Sequence, residues 1–173
     1  MNNAKLIQTP VHLDNRGYFA ESWNNAWDLG IDLQVRQTNV CWTEQQYTLR
    51  GLHAQFGTAQ VAKLVRVIRG AILDVFVDAR ADSPDFGRWD AVVLDRLDQA
   101  MYVPAGYYHG YVTLTDDVLV TYHQDASFDG KQECGLNFAS NTDIWLQHQL
   151  NAAAFKVSDK DRLQPMWADC HKF

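Results

Sequence analysis

Apolar and polar positions alternate in short runs along most of the chain. "KLVRVIRGAILDVFVDAR" holds two strand-like runs, rich in Val and Ile, on either side of Gly70. In the second run Ile72 shares a face with Asp74, Phe76 and Asp78, while Leu73, Val75 and Val77 take the other. "RWDAVVLD", "QAMYVPAG", "YHGYVTLTD" and "VLVTYHQD" continue the series, separated by turn signals such as "DSPDFG", "LDRLDQ", "VPAG" and "TDD". Strands at this regular spacing predict an all-β sandwich or barrel rather than βαβ units. Helical pattern is sparse. "SWNNAWDLG" predicts one short helix ending at Gly30, and "AAAFKVSDKDRLQPMWADC" another, with Ser158 or Asp159 as its cap. No linker, repeat or low-complexity tract divides the chain, so one domain over residues 1–173 is expected.

Composition narrows the class. The 173 residues are 47% hydrophobic and 21% charged, as in a globular protein with a substantial core. The net charge of -6 argues against a nucleic-acid partner, although an acidic protein still binds an anion where its pocket is locally basic. Cys41, Cys134 and Cys170 form no spaced pair, which fits reduced thiols in the cytoplasm. "MNNAKLIQTPVHLDNRG" lacks the apolar run of a signal peptide, and no segment approaches the roughly 20 apolar residues of a membrane span. No membrane association is expected. Most of the six Trp and seven Tyr are expected in the core or at an interface, some lining a cavity.

Two stretches carry chemistry. In "VPAGYYHGY", Pro104, Gly106 and His109 form P-x-G-x-x-H. This resembles the second motif of the cupin superfamily, small jelly-roll barrels with a ligand cavity. A hairpin turn followed by a core histidine explains that motif equally well. "LRGLHAQFGTAQVAKLV" places His53, Arg50 and Lys63 in an otherwise apolar, Gly-punctuated stretch, and ordinary cores rarely bury three such groups. Metal-binding cupins resemble this region but carry H-x-H followed by Glu; here Gln55 follows His53, and Lys63 brings a cation that repels a metal. The expectation is a cavity without metal or other cofactor. A His and a Lys in such a pocket suit proton abstraction beside a carbonyl, with the cation stabilising the enolate oxygen. Asp161 in "SDKD" is a candidate to orient the base.

In order, "RGYFAE", "RQTNV", "LRGLHAQ", "AKLVRVIRGAILDVFVDAR", "SPDFGRW", "VPAGYYHGY", "VTYH" and "SDKD" resemble the dTDP-4-dehydrorhamnose 3,5-epimerases, cupin-like enzymes of nucleotide-deoxysugar synthesis. The resemblance implies a cupin-like jelly-roll β-barrel with a few short peripheral helices. It implies a nucleotide-diphosphate sugar as substrate, a 4-keto-6-deoxyhexose. His53 stands as base with Asp161 orienting it, Lys63 as stabiliser of the C4 oxygen, and Tyr122 as proton donor on the opposite face of the sugar. Arg16 and Arg50 stand as diphosphate contacts, and Phe19 and Phe128 as packing partners of the base. Glu21, Gln37, Asn39, His109, Glu133 and Lys160 fall at or near further substrate contacts. The resemblance also implies a homodimer with exchanged N-terminal strands, so that Arg16 or Phe19 serves the partner's pocket.

Three departures bear on the ligand. Phe128 is followed by Asp129-Gly130 where Tyr-Pro is frequent, "LNFASN" replaces a "WND" segment, and Thr38 stands where Asp is common. The alternatives are a C3-only epimerase or keto-isomerase of a related nucleotide sugar, a catalytically silent sugar-nucleotide-binding cupin, and a metal-dependent cupin.

Overall fold

A computed structural model of the chain describes residues 3–31 and 33–173. Among the described residues thirteen strands are formed: β1 (Lys5–Gln8), β2 (Val11–Asp14), β3 (Gly17–Ala20), β4 (Gln37–Thr43), β5 (Thr48–Gln55), β6 (Lys63–Arg69), β7 (Ile72–Asp78), β8 (Trp89–Leu94), β9 (Gln99–Val103), β10 (Tyr107–Thr113), β11 (Val118–Gln124), β12 (Glu133–Gly135) and β13 (Lys156–Val157). Two short helices follow the last long strands, α1 (Asp143–Gln147) and α2 (Asp159–Arg162). One sheet has the order β1-β9-β6-β11-β4. The other has the order β12-β5-β10-β7-β8, with β13 added beside β5. From β4 to β7, and again from β8 to β11, the chain crosses from one sheet to the other at every connection, as a jelly roll requires.

The alternation along β7 sorts its side chains as its pattern predicts. Ile72 and Phe76 pack between the sheets with Val65, Val67, Tyr111 and Val120. Leu73, Val75 and Val77 face outward, under Trp145 of α1 and the C-terminal segment. Both faces of β7 are therefore buried. The outer face of the five-stranded sheet packs Ile7, Leu64 and Tyr102 against Trp23, Leu29 and Val35. Each fully buried Leu or Val on these faces contributes on the order of 1.5–3 kcal/mol.

A bulge builds the cavity wall. His109 pairs with His53, but Tyr111 pairs with Arg50, so two steps along β10 match three along β5. Arg50 and His53 consequently project to the same inner face despite their odd spacing. Gly51 (φ +106°) and Gly110 permit this: a Cβ at Gly51 would lie 2.8 Å from the Gly110 Cα, and one at Gly110 would lie 2.6 Å from the Arg50 carbonyl oxygen.

The helix expected over "SWNNAWDLG" does not form. The Asn24 side chain accepts from the Ala26 N–H at 2.9 Å, and Trp27 and Asn24 both donate to Glu21, so side chains take the local polar groups and leave a single turn. The second expected helix does form, as α2, with Ser158 as its cap: the Ser158 hydroxyl accepts from the Asp161 N–H at 3.1 Å. Among the described residues, no helix is long and apolar enough to cross a membrane.

Candidate active site

The space between the sheets opens into a cavity of about 320 Å³ that meets a second of about 330 Å³, and His53, Lys63 and Tyr122 line both. The first half is completed by Arg50, His109, Tyr111, Cys41 and Asp161, the second by Gln37, Asn39, Gln124, Phe128 and Glu133. The two walls differ. His53 and His109 stand in register on β5 and β10 of one sheet. Lys63 and Tyr122 stand on β6 and β11 of the facing sheet, where Tyr122 lies between Val65 and Asn39, and Gln124 between Lys63 and Gln37.

His53 donates from Nε2 to Asp161 Oδ1 at 2.6 Å, since an ionised carboxylate only accepts. Asp161 sits in the first turn of α2, and its Oδ2 accepts from the Gly51 N–H at 3.4 Å. Burial pushes the Asp161 carboxyl up, but the bonds from His53, Gly51 and Ser158 and the charge of His53 outweigh it and hold the group below its usual value. The bond at Nε2 leaves Nδ1 as the nitrogen free to take a proton. Glu133 Oε1 stands 3.8 Å from Nδ1.

Burial pushes the Lys63 ammonium down to about 8, against the pull of Glu133 and Asp74, and the group has no hydrogen-bond partner among the described residues. Burial likewise pushes the Tyr122 phenol above its ordinary value; Cys41 and Glu133 add to the effect and Arg50 opposes it. His109 bonds Asp74 at 2.8 Å, giving the cavity a second His–carboxylate pair. Arg50 is held by the Thr43 hydroxyl at 3.0 Å and the Trp42 carbonyl at 3.3 Å. Gln37 donates to Asn39 at 2.9 Å and Asn39 to Gln124 at 2.5 Å, a chain of amides along one wall, while Gln37 accepts from the Phe128 N–H at 2.9 Å.

His53, Asp161, Lys63, Tyr122, Arg50, His109, Gln37, Asn39, Phe128 and Glu133 thus converge as the sequence expects. Four other expected site residues do not line the cavity. Arg16 and Phe19 lie on the β2–β3 hairpin, with Arg16 paired to Asp14 at 2.6 Å and Phe19 exposed. Glu21 accepts from Trp27 at 3.1 Å, and Lys160 at the rim pairs with Glu133. Two of the departures lie outside the cavity lining. Thr38 faces outward and bonds buried His123 at 2.9 Å, and Phe138 of "LNFASN" packs on Phe155 outside the six-stranded sheet. Sequence reasoning missed Asp74, Tyr111 and Gln124. Asp74 had a signal, a carboxylate in the middle of the inward face of a strand that is otherwise apolar up to Asp78 at its end. Among the described residues no cluster of three or more His, Cys, Asp or Glu has the arrangement of a metal site.

Barrel and cavity together define a cupin-type protein with paired ionisable groups on facing walls. The model of the dTDP-4-dehydrorhamnose 3,5-epimerase family matches residues 1–169, and the chain belongs to that family. It is 35% identical to the dTDP-4-dehydrorhamnose 3,5-epimerase of Sinorhizobium fredii over 93% of this chain and 83% of the relative. With that of Mycobacterium tuberculosis it shares 37% identity over 94% of this chain and 82% of the relative. The crystal structure of the Bacillus anthracis epimerase with TDP and PPi bound superposes with a TM-score of 0.86, at 33% identity over 94% of this chain and 93% of that one. The Legionella pneumophila 3,5-epimerase in complex with dTDP-4-keto-L-rhamnose gives 0.85, at 29% identity over 94% and 87%. ChmJ, a 3'-monoepimerase from Streptomyces bikiniensis in complex with dTDP-quinovose, gives 0.83, at 30% identity over 96% and 84%.

Proposed function

We propose that this chain, as a single domain, epimerises a dTDP-linked 4-keto-6-deoxyhexose at C3 and C5. The observation that carries the reading is the 2.6 Å bond of His53 to Asp161 on one wall, facing Lys63 and Tyr122 on the other. His53 Nδ1 removes the proton from the carbon next to the C4 ketone, and Asp161 stabilises the imidazolium that forms. The electron pair moves onto the C4 oxygen, where the Lys63 ammonium stabilises the enolate. Tyr122, protonated at neutral pH and raised further by burial, returns a proton from the opposite face. Arg50 takes phosphate oxygens, while Gln37, Asn39, Phe128, His109 and Glu133 line the ligand space.

Because Lys63 acts as a cation, kcat/KM is expected to fall as pH rises through about 8. A rate–pH profile on dTDP-4-keto-6-deoxyglucose, with the product read by NMR, tests both the conversion and this limb. No inverted product, or a profile flat through that range, contradicts the reading.

The working unit we propose is a homodimer with exchanged N-terminal strands, in which Arg16 and Phe19 reach the partner's cavity. Leu13, Tyr18 and Phe19 on the hairpin and Val40 and Trp42 on the edge strand β4 are all exposed, which supports a partner there. Mixing Arg16→Ala and His53→Asn chains is expected to regain activity that neither has alone, because one site of the hybrid keeps both residues. No gain on mixing assigns Arg16 to no partner's site. The free thiols Cys41, Cys134 and Cys170 fit work in the cytoplasm.

A further inference from the structure

Epimerisation at two carbons raises a proton problem that His53, Asp161 and Tyr122 do not solve alone. After one inversion His53 carries one proton too many and Tyr122 one too few. A second inversion of the same bound sugar requires both to be restored. Asp161 offers no way out for the proton, being buried, with its oxygens taken by His53 Nε2 and the Gly51 N–H.

Glu133 stands on the other side of the ring. Its Oε1 lies 3.8 Å from Nδ1, the nitrogen that receives the substrate proton, and its Oε2 pairs with Lys160, whose side chain is 57% exposed. Among the described residues lining that half of the cavity, Glu133 is the one carboxylate, and it shares the space with Lys63 and Tyr122. We infer that Glu133 is a positioning residue that resets His53 between two successive abstractions. The distance exceeds a direct hydrogen bond, so transfer runs through one bridging water or a small closure of the gap. The proton leaves Nδ1–H for the Glu133 carboxylate and passes to solvent at the Lys160 rim, while solvent returns a proton to the Tyr122 phenolate. The negative charge of Glu133 also favours that reprotonation, since it holds the phenol higher. The inference rests on His53 being the base and on double epimerisation.

The test is a time course of dTDP-4-keto-6-deoxyglucose in D2O with wild type, Glu133→Gln and Glu133→Asp, reading label at C3 and C5 separately by NMR. In Glu133→Gln, both labels slow together as far as the lost ligand contact affects the whole reaction, so the readout is the ratio of the second label to the first. That ratio is expected to fall about tenfold or more, with singly inverted sugar accumulating free in solution. Glu133→Asp is expected to recover part of the second step. The ratio of the two labels comes from the same folded molecules, so partial unfolding does not move it. Equal loss at both carbons, or no change at either, overturns the proposal and leaves the function standing. Wild type that labels one carbon, or none, removes double epimerisation and the proposal with it.

Discussion

Replacing His53 with Asn is expected to lower kcat by about 10²–10⁴-fold, the usual worth of a positioned general base. Asn keeps roughly the size and one polar contact to Asp161 but has no basic nitrogen at Nδ1. Binding should change little, because the cavity keeps Arg50 and the amide wall of Gln37, Asn39 and Gln124. Titration calorimetry with dTDP, beside steady-state kinetics, separates the two quantities. A variant that turns over normally removes His53 from the role of base. One that loses binding and turnover in proportion makes His53 a ligand contact.

The second large effect is expected at Tyr122, and its signature is an imbalance. Tyr122→Phe removes the hydroxyl from the wall facing His53 while leaving the ring packed beside Val65 and Val120. Proton abstraction by His53 continues, but the enolate loses the donor on its opposite face. Inversion should fall by about 10²–10³-fold, and washout of substrate hydrogen into solvent by much less, since His53 can return a proton to the face it came from. Equal loss of washout and inversion, followed by NMR in D2O, shows that Tyr122 is not the donor. The phenol is protonated at neutral pH, and burial raises it further, so Tyr122 keeps its proton until the enolate takes it.

Much of this arrangement was legible in the chain. The period of two along β7 assigned its faces correctly, since a strand buried on both sides still separates Ile72 and Phe76 from Leu73, Val75 and Val77. The run from Arg50 to Lys63 stood out because three cations-to-be interrupt an apolar pattern. What stayed hidden depends on long-range pairing. Asp161 meets His53 across 108 residues, a pairing that the family resemblance implied and local pattern alone could not, and Asp74 meets His109 across 35, a pairing the sequence reading did not make. The β5–β10 bulge turns Arg50 and His53 to one face, contrary to simple alternation. Asn24 diverted "SWNNAWDLG" from a helix through its own side-chain bond, while α1, five residues long, is too short to show a period. Arg16, Phe19, Glu21 and Lys160 carried motif positions with no local signal of where their side chains end.

The proposed roles of His53 and Tyr122 require protons to move at the two carbons flanking one ketone. Wild-type protein acting on dTDP-4-keto-6-deoxyglucose in D2O tests this most directly, with deuterium located by NMR. Label is expected at both C3 and C5, each with inverted configuration. Label at C3 alone makes the protein a mono-epimerase, and absence of label at both positions contradicts epimerisation of this sugar altogether.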